Sequence, residues 1–511
     1  RFNNYSVDGN VYNNNFGLGS SQFAGGNPIS LDAIEEVQIN LAPYDVRQGG
    51  FTGASVNAVT KSGTNQFRGS AYMYYRNQDL VGNKVGDRKL EVTDSYTRTI
   101  GATLGGPILQ DKLFFFLSVE QEEADNPGDN RLALRPGQSP DGAQITRVPL
   151  EHAEFVREQM NALYGYNTGS FESIPFANEA IRLNARLDYN ISNNHRAMVR
   201  FNRYDSFNDV MVNGNSVRGA VPRYSSTNRF GPEALTFRNT HYSNDNVITS
   251  LVGELNSTFG NNLSNNFRVG ATWVTDPQRS VPGGQTFPMI EVMEPREGDP
   301  NVYYMSLGNE LYTVGNLLEN NTFSASNALT WFTGKSTITA GVNFEYMTFA
   351  NAFNPKWNSW YRYATYDDFV ASVIHQDPSV KPSAFGIGYT YDVDNPTTLP
   401  LDEVEFAQLG LYLHNEYQVN PDLKLTAGLR VDLPFYPMDA PSNPAVDALN
   451  LSIPNPRGGD NITPDVSEFP SVNPLWSPRF GFNWDISGDR TTQIRGGTGI
   501  FSGRLPFVWI S

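Results

Sequence analysis

The sequence contains no cysteine and very little histidine. Without thiols, a disulfide scaffold, a cysteine nucleophile and a zinc–cysteine site are all excluded. The histidines lie far apart, and no two of them stand at the HxH or HxxxH spacing that metal sites often use. The five histidines are His152, His195, His241, His375 and His414. We therefore predict no metal site and no cofactor.

Enzyme motifs are missing as well. The sequence has no GxSxG, no HExxH and no Walker loop. Its carboxylates are scattered over connecting segments, so nothing supports a pair of the kind that glycosidases use. We predict that the protein is not an enzyme and assign no catalytic residue.

Basic charge and long apolar runs are also scarce. The chain carries 37 Lys and Arg against 53 Asp and Glu, a net charge of -16. Nucleic acid requires a basic surface, so we predict no nucleic-acid partner. No apolar run approaches the ~18 residues of a membrane-spanning helix. Aromatic residues are abundant instead, with 25 Tyr and 32 Phe, which suits the pleated sheet and interfacial girdles of a membrane β-barrel.

Apolar and polar residues alternate strictly over segments of about ten residues, as in the strands of a membrane barrel. The segment 180–191 is the clearest example, and the segments 337–346 and 424–433 repeat its pattern. Its apolar face carries Ile181, Leu183, Ala185, Leu187 and Tyr189, and its polar face carries Arg182, Asn184, Arg186, Asp188 and Asn190. A soluble sheet alternates in the same way, so this pattern alone leaves both classes open.

The connections between these segments separate the two classes. Short connections rich in Gly, Asn, Asp and Pro alternate with connections of up to several tens of residues. Long structureless loops are uncommon in compact soluble domains, whereas this asymmetry is typical of outer-membrane barrels. We predict thirteen strands, at 66–77, 95–106, 112–121, 179–191, 195–204, 247–258, 264–275, 322–333, 336–349, 405–419, 423–433, 475–486 and 491–503. The fold class is therefore all-β, an antiparallel transmembrane barrel, and the rival class is a soluble surface adhesin of several sheets.

Thirteen is an odd number, and bacterial single-chain barrels have even numbers of strands. An open sheet edge cannot face lipid, because unpaired backbone N–H and C=O groups are costly there. The sequence also begins at Arg1, without a methionine. We therefore expect it to be a piece of a longer protein, with further strands outside it. Two long connections contain helical spacing, at 150–163 and 366–374, and predict short amphipathic helices packed within their loops.

Three motifs carry a specific resemblance to a known family. Residues 31–77 read LDAIEEVQINLAPYDVRQGGFTGASVNAVTKSGTNQFRGSAYMYYRN, residues 101–116 read GATLGGPILQDKLFFF, and residues 477–485 read SPRFGFNWD. The first motif looks like the end of the plug domain and the first barrel strand of TonB-dependent outer-membrane receptors, especially of the Oar-like branch. The second resembles the first hairpin of that branch, and the third resembles a recurrent barrel strand of the wider family.

The resemblance implies a plug inside the lumen of a barrel of twenty-two strands in the bacterial outer membrane. Residues 1–63 would be the C-terminal part of the plug, and residues 64–511 a partial barrel with long extracellular loops. The expected partners are TonB, through a segment before Arg1, and outer-membrane lipid. A surface lipoprotein or another protein is a further expected partner. No residue of this sequence is assigned to energy coupling.

The implied function is import of a large ligand, such as a peptide or an oligosaccharide, across the outer membrane. The alternative is a structural or secretion-associated barrel that binds partner proteins at the cell surface. Candidate ligand contacts are the residues of two Asn-rich or aromatic loops. They are Tyr12, Asn13, Asn14, Asn15, Phe16, Trp357, Trp360 and Tyr361. An ordered turn-rich loop and an interfacial aromatic belt are the structural alternatives.

Two charged residues of the plug-like segment, Asp45 and Arg47, stand beside a Gly-rich turn. One interpretation is an ionic latch to the charged residues Arg182, Arg186 or Glu345 on the polar faces of the strands. The other is a structural ion pair, since buried charges are usually paired.

Overall fold

The computed structural model describes residues 3–18, 27–41, 44–82, 84–86, 88–89, 94–214, 228–299, 302–390, 398–440, 444–456, 458–463, 465 and 467–510. Among these residues, no helix has the length and hydropathy of a membrane-spanning helix.

The described residues between 3 and 63 fold around a small mixed sheet and are called the N-terminal domain below. Its strands are β1 (Asn4–Val7), β2 (Asn10–Val11), β3 (Ile34–Leu41) and β4 (Ala54–Thr60), in the order β2-β1-β4-β3. Strand β1 runs parallel to β4, and the other pairs are antiparallel. Asp8 and Gly9 join β1 to β2 with positive φ angles of 47° and 75°, as in the two-residue hairpin turns that favour an Asp-Gly pair.

Thirteen strands form one antiparallel sheet in which each strand pairs with the next one along the chain. They are β5 (Arg68–Asn77), β8 (Tyr96–Leu109), β9 (Leu113–Asp129), β12 (Ile174–Ser192), β13 (His195–Val210), β15 (Tyr242–Phe259), β16 (Leu263–Ser280), β19 (Asn316–Thr333), β20 (Ser336–Phe353), β23 (Asp402–Asn420), β24 (Leu423–Phe435), β25 (Leu475–Asp485) and β26 (Gln493–Gly499). The predicted number of strands and the alternation of short and long connections are confirmed.

The two faces of this sheet differ as the alternation predicts. On β12, Leu183 and Leu187 are exposed on the apolar face, whereas Arg182 and Asn184 are buried on the polar face. On the apolar face of β19 the exposed residues run from Phe323 to Trp331. That separation is about 27 Å along a strand, close to the ~25 Å apolar band of an outer-membrane barrel.

Several strands are longer than the ten residues that the sequence predicts. Strand β19 begins at Asn316 and β12 at Ile174, on the side of the long connections. Backbone pairing continues there, but the apolar alternation does not, because those residues lie beyond the apolar band. For these strands the predicted boundaries therefore mark the apolar part and not the whole ladder. The last strand differs in the opposite sense, since it is predicted over 491–503 and spans only Gln493–Gly499.

The described residues of four long connections fold together into one body, called the cap below: they lie within 130–173, 211–241, 281–315 and 354–401. A five-stranded sheet joins three of these connections, in the order β14-β18-β17-β21-β22. Its strands are β14 (Leu235–Thr236), β17 (Met289–Met293), β18 (Tyr303–Leu307), β21 (Trp360–Tyr363) and β22 (Ala384–Gly386). The remaining short strands are β6 (Lys84–Val85), β7 (Arg88–Lys89), β10 (Leu132–Leu134) and β11 (Ile145–Pro149).

Helices complete the cap. Helix α1 (Leu150–Tyr164) ends at Gly165, whose positive φ of 61° suits a left-handed cap. Helix α2 (Tyr366–Phe369) continues as a π-helical turn over Val370–Ile374, and a short helix α3 (Pro444–Asp447) lies outside the cap. Both predicted loop helices are confirmed. Helix α1 presents Ala153, Val156 and Met160 to the core, while Leu163 is exposed.

A charged network is buried in the cap. The carboxylate of Glu291 on β17 accepts hydrogen bonds from Arg229 and, at 2.8 Å, from Nε of Arg362 on β21. The hydroxyl of Tyr303 also donates to it, at 3.3 Å. All four side chains are almost fully buried. The network therefore joins three connections that are distant in sequence.

Replacing Glu291 with Gln should weaken the cap by about 3 kcal/mol, because two buried guanidinium groups lose their carboxylate. Hydrogen exchange of the backbone amides of α1 and β17 measures this loss as a lower free energy of local opening. Glu123→Gln is the matched control, since the Glu123–Arg98 pair is exposed and its loss should leave the cap unchanged. Equal exchange in the two variants would contradict the role of the network.

Candidate functional site: the contact between the N-terminal domain and the polar face

The N-terminal domain packs against the polar face of the thirteen-stranded sheet. A small apolar cluster forms one part of the contact. It joins Val7, Tyr12, Ile29 and Ala33 of the domain to Phe116, Ala180, Tyr204, Ile248 and Val274 of the strands. Three polar contacts join the domain to inward positions of the strand alternation.

The first polar contact is made by Ser30, which caps a 3-10 helix over Leu31–Ala33. Its hydroxyl donates to Oε2 of Glu120 at 3.1 Å. The same carboxylate accepts from the hydroxyl of Tyr72 at 2.6 Å and from Arg182 at 3.1 Å. Nε of Arg182 also donates to the carbonyl oxygen of Asn27 at 2.8 Å. Strands β5, β9 and β12 are thus joined to the domain at one point.

The second contact centres on Asp8, which the hairpin turn between β1 and β2 holds in place. Its buried carboxylate accepts hydrogen bonds from the backbone N–H and the hydroxyl of Thr60, at 2.9 and 2.8 Å. Two arginines of the polar face approach it, Arg186 at 3.7 Å and the fully buried Arg200 at 3.5 Å. Arg186 also donates to the carbonyl oxygen of Thr60 at 2.9 Å. Burial makes these charge contacts stronger than exposed ones.

The third contact uses backbone carbonyls next to the predicted latch residues. Arg479 donates to the carbonyl oxygen of Asp45 at 2.7 Å, and Arg430 to that of Val46 at 3.3 Å. The side chains of Asp45 and Arg47 pair with each other at 2.6 Å. Local pairing over two residues thus satisfies both charges.

Of the two interpretations of Asp45 and Arg47, the structure agrees with the structural ion pair, and the partners expected for an ionic latch are wrong. Arg182 and Arg186 do contact the N-terminal domain, but through Asn27, Asp8 and Thr60 and not through Asp45 or Arg47. Glu345 pairs with Arg504 instead.

The predicted ligand contacts divide into buried and accessible residues. Tyr12, Phe16 and Trp360 are buried in apolar clusters, so in this conformation they are packing residues and the prediction is corrected for them. Asn14 is also buried, and its amide donates to the carbonyl oxygen of Leu18 at 2.6 Å. The partly exposed residues are Asn13, Asn15, Trp357 and Tyr361.

Asn13 and Asn15 belong to the N-terminal domain, and Trp357 and Tyr361 to the cap. Asn13 accepts from the backbone N–H of Tyr5 at 2.8 Å, which fixes its orientation. Tyr361 packs on Phe385 of the neighbouring strand, with 5.0 Å between ring centroids.

The sequence prediction missed Asp8, Ser30, Glu120 and Arg200. Strand parity could have identified Arg200, because it shares a face with Met198 and Asn202 of the predicted strand 195–204. Nothing local could have identified its partner, since 192 residues separate Arg200 from Asp8.

A family model described as an outer membrane beta barrel domain matches residues 59–508. The chain belongs to this family. The thirteen strands are therefore part of an outer-membrane β-barrel, the polar face is its inner wall, and the predicted location in the bacterial outer membrane is confirmed.

The relatives of this barrel are transporters and receptors. It is 36% identical over 125 residues to the TonB-dependent transporter Oar of Myxococcus xanthus, which is 22% of this chain and 11% of that protein. The outer membrane transporter YddB from Escherichia coli superposes with a TM-score of 0.58 at 13% identity, covering 99% of this chain and 54% of that one. A mutant of the ferric enterobactin receptor PfeA from Pseudomonas aeruginosa gives 0.51 at 12% identity, covering 97% and 53%.

The chain thus spans about half the length of these solved structures, and its match to Oar covers 11% of that relative. The predicted resemblance to TonB-dependent receptors is confirmed. The relatives are not enzymes, which agrees with the sequence prediction.

Asp8→Asn should loosen the N-terminal domain on the barrel wall. The amide keeps one acceptor for Thr60 but removes the negative charge between Arg186 and Arg200, so we expect a loss of about 3 kcal/mol. Hydrogen exchange of β1 and β4 in detergent would report this loss. Asp45→Asn is the control, because Asp45 pairs with the half-exposed Arg47 side chain and should have a much smaller effect. If the two variants behave alike, Asp8 does not hold the domain.

Proposed function

We propose that this barrel belongs to a TonB-dependent transporter that imports a large ligand across the outer membrane, and that its N-terminal domain acts as the plug. The observation that carries the proposal is the set of polar contacts between that domain and the inner wall. Wall arginines bond to the domain's backbone carbonyls and to Asp8, at 2.7–3.7 Å.

Polar contacts of this kind suit a body that must separate from the wall. A hydrogen bond exchanged for one to water changes the free energy by only about 0.5–1.5 kcal/mol. An apolar interface of equal area would lose the hydrophobic free energy of its whole surface when water enters. The apolar cluster around Val7 and Tyr12 is small, so most of the contact can be rehydrated as the domain moves.

Work is still required to break several such contacts together. We propose that TonB supplies it by acting on a segment before Arg1. Residues 1–63 would then be the C-terminal part of the plug, joined to the barrel of residues 64–511 through the stretch between β4 and β5.

We assign ligand contact to the accessible residues of the two predicted groups, Asn13 and Asn15 on the plug side and Trp357 and Tyr361 on the cap side. Amides bond to the polar groups of peptides and sugars, and aromatic rings stack on their apolar faces. The ligand class is accordingly a peptide or an oligosaccharide.

A surface role for partner proteins is the second candidate, and the cap favours it. Four connections share one apolar core, and a buried charged network joins three of them. A rigid surface of this kind is pre-organised to bind a macromolecule, because little entropy is lost on binding. A surface lipoprotein is one partner of this type.

Uptake by the full-length protein, with and without TonB, tests the proposal. Fluorescently labelled peptides and oligosaccharides of graded size serve as probes, in an outer membrane whose general porins are deleted. We expect accumulation of one probe class to fall to background when TonB is removed. Accumulation that does not depend on TonB, or no accumulation together with a stably co-purifying surface protein, would overturn the importer and favour the second candidate.

A further inference from the structure

The segment that follows β26 turns onto the N-terminal domain. Residues 503–510 are called the strap below. Gly503 forms a parallel bridge with Gly50. The backbone N–H of Val508 donates to the carbonyl oxygen of Phe16 at 2.9 Å, and that of Phe507 to the carbonyl oxygen of Asn15 at 3.3 Å. The strap therefore bonds to two separate loops of the domain.

An aromatic cluster fixes the strap and the domain to the wall together. The Phe507 ring stacks on Phe349 of β20 at 4.6 Å and lies 4.8 Å from Phe406 of β23. Phe16 packs on the other side of the cluster, 5.8 Å from Phe349. Phe16, Phe349 and Phe507 are almost fully buried. This is the one described contact in which domain, strap and wall share an apolar core.

The backbone of the domain is shaped for this contact. Gly17 has a φ of 101°, which a side chain rarely permits, and a Cβ there would collide with Pro506. Arg504 completes the attachment by pairing with Glu345 of β20 and by donating from Nε to Gln408 of β23 at 3.4 Å.

The strap holds the domain from the cap side. Phe349 and Phe406 lie near the ends of β20 and β23 that lead to the long connection. The contacts of Arg186 lie nearer the short turn after Ser192. The aromatic cluster also continues outward, since Tyr436 packs on Phe406 at 5.6 Å and stacks on Phe469 at 4.9 Å. Both Tyr436 and Phe469 belong to the long connection 436–474.

We propose that the strap is a retaining device, and that its release from Phe16 is required before the N-terminal domain can leave the wall. The connection 436–474 links the strap to the surface loops, because Tyr436 and Phe507 both pack on the ring of Phe406. A movement of Tyr436 therefore changes the packing of Phe507. The inference rests on the proposed plug function, but the strap contact is testable without any ligand.

A disulfide between the strap and the domain is the first test. Residues 1–511 contain no cysteine, so Asn15→Cys with Val508→Cys introduces one cysteine pair into this part of the full-length protein, and mass spectrometry of the oxidised protein identifies the disulfide between them. Potassium chloride conductance in planar bilayers is the readout. We expect the oxidised protein to open at least tenfold less often than the same protein after reduction. Each single-cysteine variant is the matched control, and its frequency of openings should be the same before and after reduction.

Phe16→Ala is the second test and acts in the opposite direction. Hydrogen exchange of residues 12–18 and 503–510 should accelerate at least tenfold, and channel openings should become more frequent. Phe385→Ala, at an exposed aromatic of the cap, should change neither. Unchanged hydrogen exchange in Phe16→Ala, or an equal frequency of channel openings in the oxidised and reduced double-cysteine protein, would contradict the retaining role of the strap. Failure of the plug function would appear separately, as uptake that does not depend on TonB.

Discussion

Backbone hydrogen bonding in lipid is the constraint on which this structure depends. Inside the bilayer, every N–H and C=O must find a partner within the protein. Between its two outer strands, the described sheet meets this demand with twelve consecutive antiparallel pairings, from β5 to β26. Once the strands are paired, their side chains must alternate between lipid and the inner wall. The arginines that hold the N-terminal domain follow from that alternation, because the inner wall is the one face of a spanning strand that accepts charge.

The same constraint explains what could be predicted from the sequence. The period of two is local, and so are the turn residues, so the number of strands and the side of each residue could be predicted from short segments. The alternation along the strand is enough to place Arg182 and Arg186 on the polar face, which contacts the N-terminal domain. The ends of the strands could not be predicted, since above the apolar band the ladder of β19 continues through Asn316 without an apolar face.

The residue pairs between the N-terminal domain and the barrel wall could not be predicted, for a different reason. Asp8 meets Arg200 across 192 residues, and only the position of the whole domain brings them together. Asp45 and Arg47 illustrate the opposite case. Two opposite charges two residues apart satisfy each other at little entropic cost, so a local pair prevails over a distant one. The aromatic residues Phe16 and Trp360 were ambiguous because exposed ligand contacts and packed cores use the same residue types, and their cores are assembled from distant connections.

The buried charges serve two purposes that differ in their access to water. Glu291 lies inside the cap, where breaking its pairs would expose uncompensated charge to an apolar interior. Asp8 makes similar pairs, but it lies between two bodies, so separation of those bodies brings water to the charges. The ion pairs of Glu291 therefore stay buried in the cap, whereas those of Asp8 become hydrated if the domain and the wall separate. The aromatic packing around Phe16 differs from both, because hydration of the exposed rings does not compensate for the free energy lost with their apolar contacts. A domain held by polar contacts alone would lose those contacts to water one at a time, whereas in the proposed role of the strap the aromatic cluster makes release of the domain one cooperative event.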